Sequence, residues 1–277
     1  MKRAHLALAG VAAIVLFTGT SAAQPVVRVY AAGSLSAGMT AIAKAVEKDY
    51  GLHVALTFGP SGVLRERIEK GEPADLFASA DMKHPRTLSG SGLSGPTVLF
   101  ARNALCAFTR PDVGASSEGL LDRMLDPKIK VGTSTPVADP AGDYAWQSFR
   151  QADKVKPGAY ATLDAKALKL TGDAGAPPLA APNGRNITAF SLENRSADIF
   201  LLYCSGASAI QQDPAGAVVI HLPASLAVSA EYGMTVMKKA SADAALLSQF
   251  ILSSAGQRIL RSAGFSTVTL PQDEPER

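Results

Sequence analysis

From Val26 onward, short runs rich in β-formers alternate with stretches whose apolar residues recur at the spacing of one helical face. Val26-Val-Arg-Val-Tyr-Ala31 reads as a strand. Leu35, Met39, Ile42, Ala43 and Val46 then mark a helix that stops near Gly51. Val54-Ala-Leu-Thr-Phe58 predicts a second strand, Val63, Leu64 and Ile68 a short helix ending at Gly71, and Ala74-Asp-Leu-Phe-Ala78 a third strand. Thr97-Val-Leu-Phe-Ala101 leads into Ala104-Leu-Cys-Ala-Phe108, which reads as the exit from a first lobe. Such alternation predicts an α/β protein with largely parallel sheets.

A second unit follows. It has a strand at Lys130-Val-Gly-Thr133, a helix from about Ala141 to Gln151, a Gly/Ala/Pro-rich loop from Thr171 to Pro182, a helix from about Thr188 to Asn194 and a strand from Ile199 to Cys204. Val218-Val-Ile-His-Leu222 is expected to return the chain to the first lobe. Leu246, Phe250, Ile251, Ile259 and Leu260 mark closing helices around a break at Ser254-Ala-Gly256, and the chain after Leu270 is polar. The expected division is a first lobe in two parts, 24–107 and 218–277, with a second lobe, 108–217, inserted between them.

What precedes Val26 changes the setting. Met1-Lys2-Arg3, an apolar run from Leu6 to Phe17 and then Ser21-Ala22-Ala23 have the order of a secretory signal, 1–23, cleaved after Ala23. The run is shorter than the ~20 residues a spanning helix needs, and no Cys stands near the cleavage site to carry a lipid. The expected product is soluble and periplasmic. Removing 23 of 277 residues leaves 254, enough for two lobes with their own cores, and losing Lys2 and Arg3 brings the formal charge from +3 to +1. That balance excludes a nucleic-acid-binding surface built on bulk charge. Cys106 and Cys204 both survive processing. In an oxidising compartment an even count favours a bridge over two buried thiols, and one closing a loop of about 100 residues contributes roughly 4–5 kcal/mol if unstrained.

The motifs of catalysis are missing or out of context. Gly90-Ser-Gly92-Leu-Ser-Gly95 fits a dinucleotide fingerprint, but a helical stretch precedes it and Pro96 with a strand follows, the reverse of what that fingerprint requires. His53, His84 and His221 have no metal-ligand spacing, and there is no Gly-x-Ser-x-Gly elbow. Asp75 and Asp81 suit the pinning of a strand end better than an acid/base pair. No cofactor is implied, and the chain reads as a binding protein rather than an enzyme.

Three turns and one strand end suit a bare anion instead. Gly33-Ser34-Leu35 and Gly59-Pro-Ser61-Gly62 each follow a strand pattern and open a helical one, which offers hydroxyls and free backbone N–H groups. Asp139-Pro140-Ala141-Gly142 opens another helix, with Asp139 as N-cap and small residues that leave the first N–H groups uncovered. Tyr203 closes the apolar strand Ile199-Phe-Leu-Leu-Tyr203.

Tyr30-Ala-Ala-Gly-Ser34-Leu35, Pro73-Ala-Asp-Leu-Phe-Ala-Ser-Ala-Asp81, Asp139-Pro-Ala-Gly142 with Tyr144, Ile199 to Tyr203, and Gly256-Gln-Arg-Ile-Leu260 with Gly264-Phe265 together resemble the periplasmic molybdate-binding proteins that feed ABC importers. The resemblance runs over nearly all the mature chain. It implies a two-lobe type II periplasmic-binding-protein fold with a ligand cleft between the lobes, acting as a monomer that delivers molybdate or tungstate to the membrane permease of an ABC importer. By position it implies that Ser34, Ser61, Ala141 and Tyr203 hold the oxyanion through neutral donors, with Arg185 at the remaining second-lobe position. Gly33 and the Gly59-Pro60 pair depart from the family pattern. So does Arg185, which either enters the cleft with a full positive charge or offers only its backbone N–H. Two other readings stay open. One is a receptor for another oxyanion such as sulfate or a phosphonate, for which Arg185 is the discriminating residue and an acid of the Asp75 to Asp81 segment lining the cleft would favour the phosphonate. The other is a secreted hydrolase, which would need His53, His84 or His221 beside Ser34 or Ser61.

Overall fold

The computed structural model describes residues 26–172, 185–214 and 216–268. The expected signal segment, the polar tail after Leu270 and most of the Thr171 to Pro182 loop lie outside the described residues.

The first part of the chain winds strand, helix, strand as its periodicity predicts. β1 (Val26–Ala32) passes through a single 3-10 turn, Gly33–Leu35, into α1 (Ser36–Tyr50), followed by β2 (His53–Gly59), α2 (Ser61–Glu69), β3 (Leu76–Ser79), α3 (Lys83–Gly90) and β4 (Val98–Thr109). α1 buries Met39, Ile42 and Val46, one face at helical spacing. It ends because Gly51, at φ +67°, turns left-handed and returns its N–H to the carbonyls of Glu47 and Val46. β1 is buried at Val27 and from Val29 to Ala32, as a parallel strand covered on both faces must be, and exposed only at Val26 and Arg28.

The second part comprises α4 (Leu120–Leu125), β5 (Val131–Ser134), α5 (Pro140–Val155), α6 (Ala159–Lys166), β6 (Leu168–Thr171), α7 (Ile187–Glu193), β7 (Ile199–Tyr203), α8 (Ala207–Gln211) and β8 (Val218–His221). β9 (Ser229–Val236), α9 (Ala242–Leu252) and α10 (Ser254–Ser262) close the chain. Tyr144, Trp146 and Phe149 of α5 are buried, and each large apolar side chain fully removed from water contributes ~1.5–3 kcal/mol.

The strands run in the order β2-β1-β3-β9-β4-β7-β5-β6, with β8 paired to β4. β4 joins the two lobes. Its residues from Val98 to Ala104 pair with β9, and those from Leu105 to Thr109 pair with β7. The sequence suggests two runs here; the structure makes them one strand. The sheets are also less parallel than expected. β1-β2, β1-β3, β5-β6 and β5-β7 are parallel, whereas every pair that includes β4 or β9 is antiparallel. β8 was expected to lie back in the first lobe. It pairs instead with Cys106–Thr109, on the part of β4 that also carries β7, so the chain rejoins the first sheet only at β9. Cys106 on β4 and Cys204, the residue after β7, form a disulfide with their Cα atoms 5.0 Å apart.

Candidate functional site

A cleft of about 420 Å³ opens where the two lobes meet. The first lobe lines it with the turns after β1 and β2, including Gly33, Ser34, Gly59 and Pro60; the second with Ser134, Asp139, Thr171, Thr188 and Tyr203. The lobes touch beside it, where the Gly62 N–H at the start of α2 donates to the Ala138 carbonyl at 3.0 Å. Only a glycine fits that contact, because a Cβ at position 62 would lie 2.5 Å from the Val137 carbonyl oxygen.

Ser34 is set by its turn with Oγ 2.9 Å from the phenol oxygen of buried Tyr232. Asn103 Nδ2 donates to that phenol at 3.3 Å. With the phenol oxygen accepting from Asn103, its own proton can go to Ser34 Oγ, which leaves the serine proton for the cleft. Tyr203 is 2% exposed, its ring edge-on to Tyr144 and Tyr232, and its hydroxyl has no hydrogen-bond partner from the protein. Burial pushes this phenol well above its ordinary pKa and keeps it a neutral donor.

Thr188 is the site residue that sequence reasoning passes over. It is 1% exposed and lines the cleft, and its Oγ1 also lacks a partner. Asn186 holds it there by accepting from the N–H groups of Thr188 and Ala189 as the cap of α7. Along the chain Thr188 shows only as a hydroxyl two residues after a capping Asn186.

Three expected site residues do not line the cleft. Ser61 is fully buried and outside the cleft lining, its Oγ accepting from the Ala80 N–H at 3.1 Å. Ala141 is fully buried, and its N–H is taken at 3.1 Å by Asp139 Oδ1, so an acid caps the helix start that a ligand was expected to occupy. Arg185 does not line the cleft. Its guanidinium pairs with Glu193 and Asp213, each at 2.5 Å, and lies over the Phe190 ring. These anions raise its pKa and hold its charge away from the ligand.

Asp139 was expected only as a cap, yet it lines the cleft. Burial first, and then Asp143 and Asp81, push its carboxyl up, against the hydrogen bonds from the Ala141 N–H and Ser134. Were it ionised, each unit charge of an anion 4 Å away would be repelled by ~4 kcal/mol at an effective dielectric near 20.

Asp75 and Asp81 have structural work. Asp75 takes the Arg28 guanidinium through both oxygens, which holds its carboxyl below the usual range, and Asp81 accepts from the Ser79 hydroxyl and the His84 N–H. The histidines contact other groups than Ser34 and Ser61. His53 meets Glu47, His84 meets Arg65 and Asp81, and His221 lies against the disulfide.

Two lobes joined by a shared strand and facing each other across a cleft of hydroxyls define a receptor of the two-lobe periplasmic-binding-protein type. The chain belongs to the bacterial extracellular solute-binding proteins, a family matched over residues 27–266, and is a solute-binding protein of the kind that serves ABC importers. It is 35% identical over 240 residues to the uncharacterized protein PM1146 of Pasteurella multocida, covering 86% of this chain and 97% of that one. It is 29% identical over 170 residues to the molybdate-binding protein ModA of Haemophilus influenzae, 56% of this chain and 65% of the relative. Among solved structures, the periplasmic molybdate-binding protein of Azotobacter vinelandii superposes with a TM-score of 0.68 at 19% identity, over 89% of this chain and all of that one. The sulfate-binding protein SubI of Mycobacterium tuberculosis gives 0.73 at 18% identity, over 88% and 87%. Among the described residues no helix is long and apolar enough to cross a membrane.

Proposed function

We propose that this protein captures a small oxyanion, molybdate or tungstate, in the periplasm and delivers it to the permease of an ABC importer, with no catalytic step. The observation that carries the reading is the pair of buried hydroxyls, Tyr203 and Thr188, unpartnered within the protein and lining one cleft with Ser34. Buried donors left unmade are costly, and an anion that accepts from them recovers ~1.5–3 kcal/mol per bond to charge. Sulfate-sized and molybdate-sized dianions are both served by donors alone, and the similarity to ModA favours the larger. Closure around the ligand, with Gly62 against Ala138, would exclude water and strengthen each contact.

One observation favours a second reading, a phosphonate or another anion carrying its own proton: the acid Asp139 in the cleft wall. Calorimetry of the mature protein with molybdate, tungstate, sulfate and methylphosphonate separates the two. Tight binding of the first two alone is the expected result. Binding of sulfate or methylphosphonate alone reassigns the ligand, and silence with all four rejects the oxyanion reading.

A further inference from the structure

The described cleft lining contains one ionisable carboxyl, that of Asp139, and no Lys, Arg or His. The carboxyl is fixed in place. Oδ1 is held by the Ala141 N–H, and on the other side Gly172, at φ +88°, lies so close that a Cβ there would come within 2.6 Å of the Asp139 Cβ. A longer side chain at position 172 would displace it, and the left-handed backbone independently favours glycine. The groups acting on Asp139 are Ser134, Asp143 on its own helix and Asp81 after β3, while Tyr203 on β7 and Tyr232 on β9 feel its charge. None is a cation. An anion entering this cleft therefore meets good donors on several sides and, on one, an acid held by the Ala141 N–H and Ser134 but neutralised by no cation.

We propose that the cleft takes up its oxyanion together with one proton, shared between the Asp139 carboxyl and an oxygen of the anion. The proton turns a repulsion into a hydrogen bond. For a fully ionised dianion it comes from solvent; for an anion that already carries one, Asp139 accepts it. No covalent bond between heavy atoms changes. The inference rests on the oxyanion reading above and makes Asp139 a specificity-determining residue.

The sign of the pH dependence follows. Partial burial and the neighbouring acids push the free carboxyl above its ordinary range, against the hydrogen bonds from the Ala141 N–H and Ser134. Below that titration the proton is already present and affinity is flat. Above it each binding event must draw a proton, so affinity for a dianion falls about tenfold per pH unit.

Molybdate and tungstate titrations from acid to alkaline pH, in buffers of differing ionisation enthalpy, count the proton directly and need no variant. Uptake rising toward one proton per anion at the alkaline end is expected. Asp139→Asn keeps an acceptor for the Ala141 N–H and is expected to bind with no uptake and a flat profile. Binding by the unaltered protein without uptake, or uptake that persists in Asp139→Asn, overturns the inference and leaves the oxyanion reading intact. If methylphosphonate alone binds, Asp139→Asn must weaken it at least tenfold, and an unchanged affinity overturns the inference. Silence with every anion removes the oxyanion reading and this inference with it.

Discussion

Replacing Tyr203 with Phe removes one oxygen and leaves the ring. The edge-on contacts with Tyr144, at 6.2 Å between centroids, and with Tyr232, at 5.5 Å, belong to the ring and survive. The hydroxyl has no protein partner at hydrogen-bonding distance and only the neighbouring Tyr232 phenol acts on it, so the stability of the free fold should move by less than about 1 kcal/mol in either direction. For a domain of this size that is a change of roughly 2–4 °C in thermal midpoint at most. The bound state differs, because there the hydroxyl is a neutral donor to a charged acceptor, worth ~1.5–3 kcal/mol, or about a ten- to 150-fold loss of affinity. The raised phenol pKa keeps it a donor well into the alkaline range, so the loss should be the same at pH 6 and pH 9. Thermal unfolding of the free proteins and calorimetry with molybdate read the two quantities separately. A Tyr203→Phe protein that unfolds many degrees lower but binds as before would refute the reasoning, since the hydroxyl would then be a structural group.

Gly62→Ala places a methyl 2.5 Å from the Val137 carbonyl oxygen and 2.8 Å from that of Ala138, both rigid backbone, and should hold the lobes apart. Affinity is expected to fall by about tenfold or more, overpacking of this kind costing ~1–3 kcal/mol, and solution scattering should show a larger radius that ligand no longer reduces. Arg185→Gln breaks the pairs with Glu193 and Asp213 and should lower the thermal midpoint without altering anion affinity at any salt concentration; a change of selectivity would put the guanidinium in the cleft after all.

The winding of the first lobe is legible because each element has one dominant period: α1 repeats its apolar face without interruption and β1 is apolar at every position but Arg28. β4 reads as two runs because Arg102 and Asn103 interrupt its apolar pattern. Asn103 is buried there, donating to Tyr232 and to Ser205, so the polar residue is part of the strand and not its end. β9 escapes notice because Glu231 and Gly233 dilute it, although Ala230, Tyr232 and Met234 alternate as buried positions and were the available signal. In the cleft, Ser34 and Tyr203 stand out as a hydroxyl in a Gly-bearing turn and a phenol at a strand end. Thr188 and Asp139 do not, because their roles depend on which atom is left without a partner and which side of a cap faces the ligand. Those are facts of three-dimensional placement that spacing along the chain does not encode.

The strand order has a consequence for how the chain reaches this state. β9 lies between β3 and β4, yet it is made of residues 229–236, while its neighbours end at Ser79 and Thr109. A chain emerging amino-end first presents β1, β2 and β3 with an open edge, and β4 has nothing to hold it beside them until some 120 residues later. Closing so distant a pairing is slow, and the waiting edge is open to the wrong partner. The first lobe is therefore the last to be finished, and the protein should depend on being kept unfolded, or shielded by chaperones, until its final strand arrives.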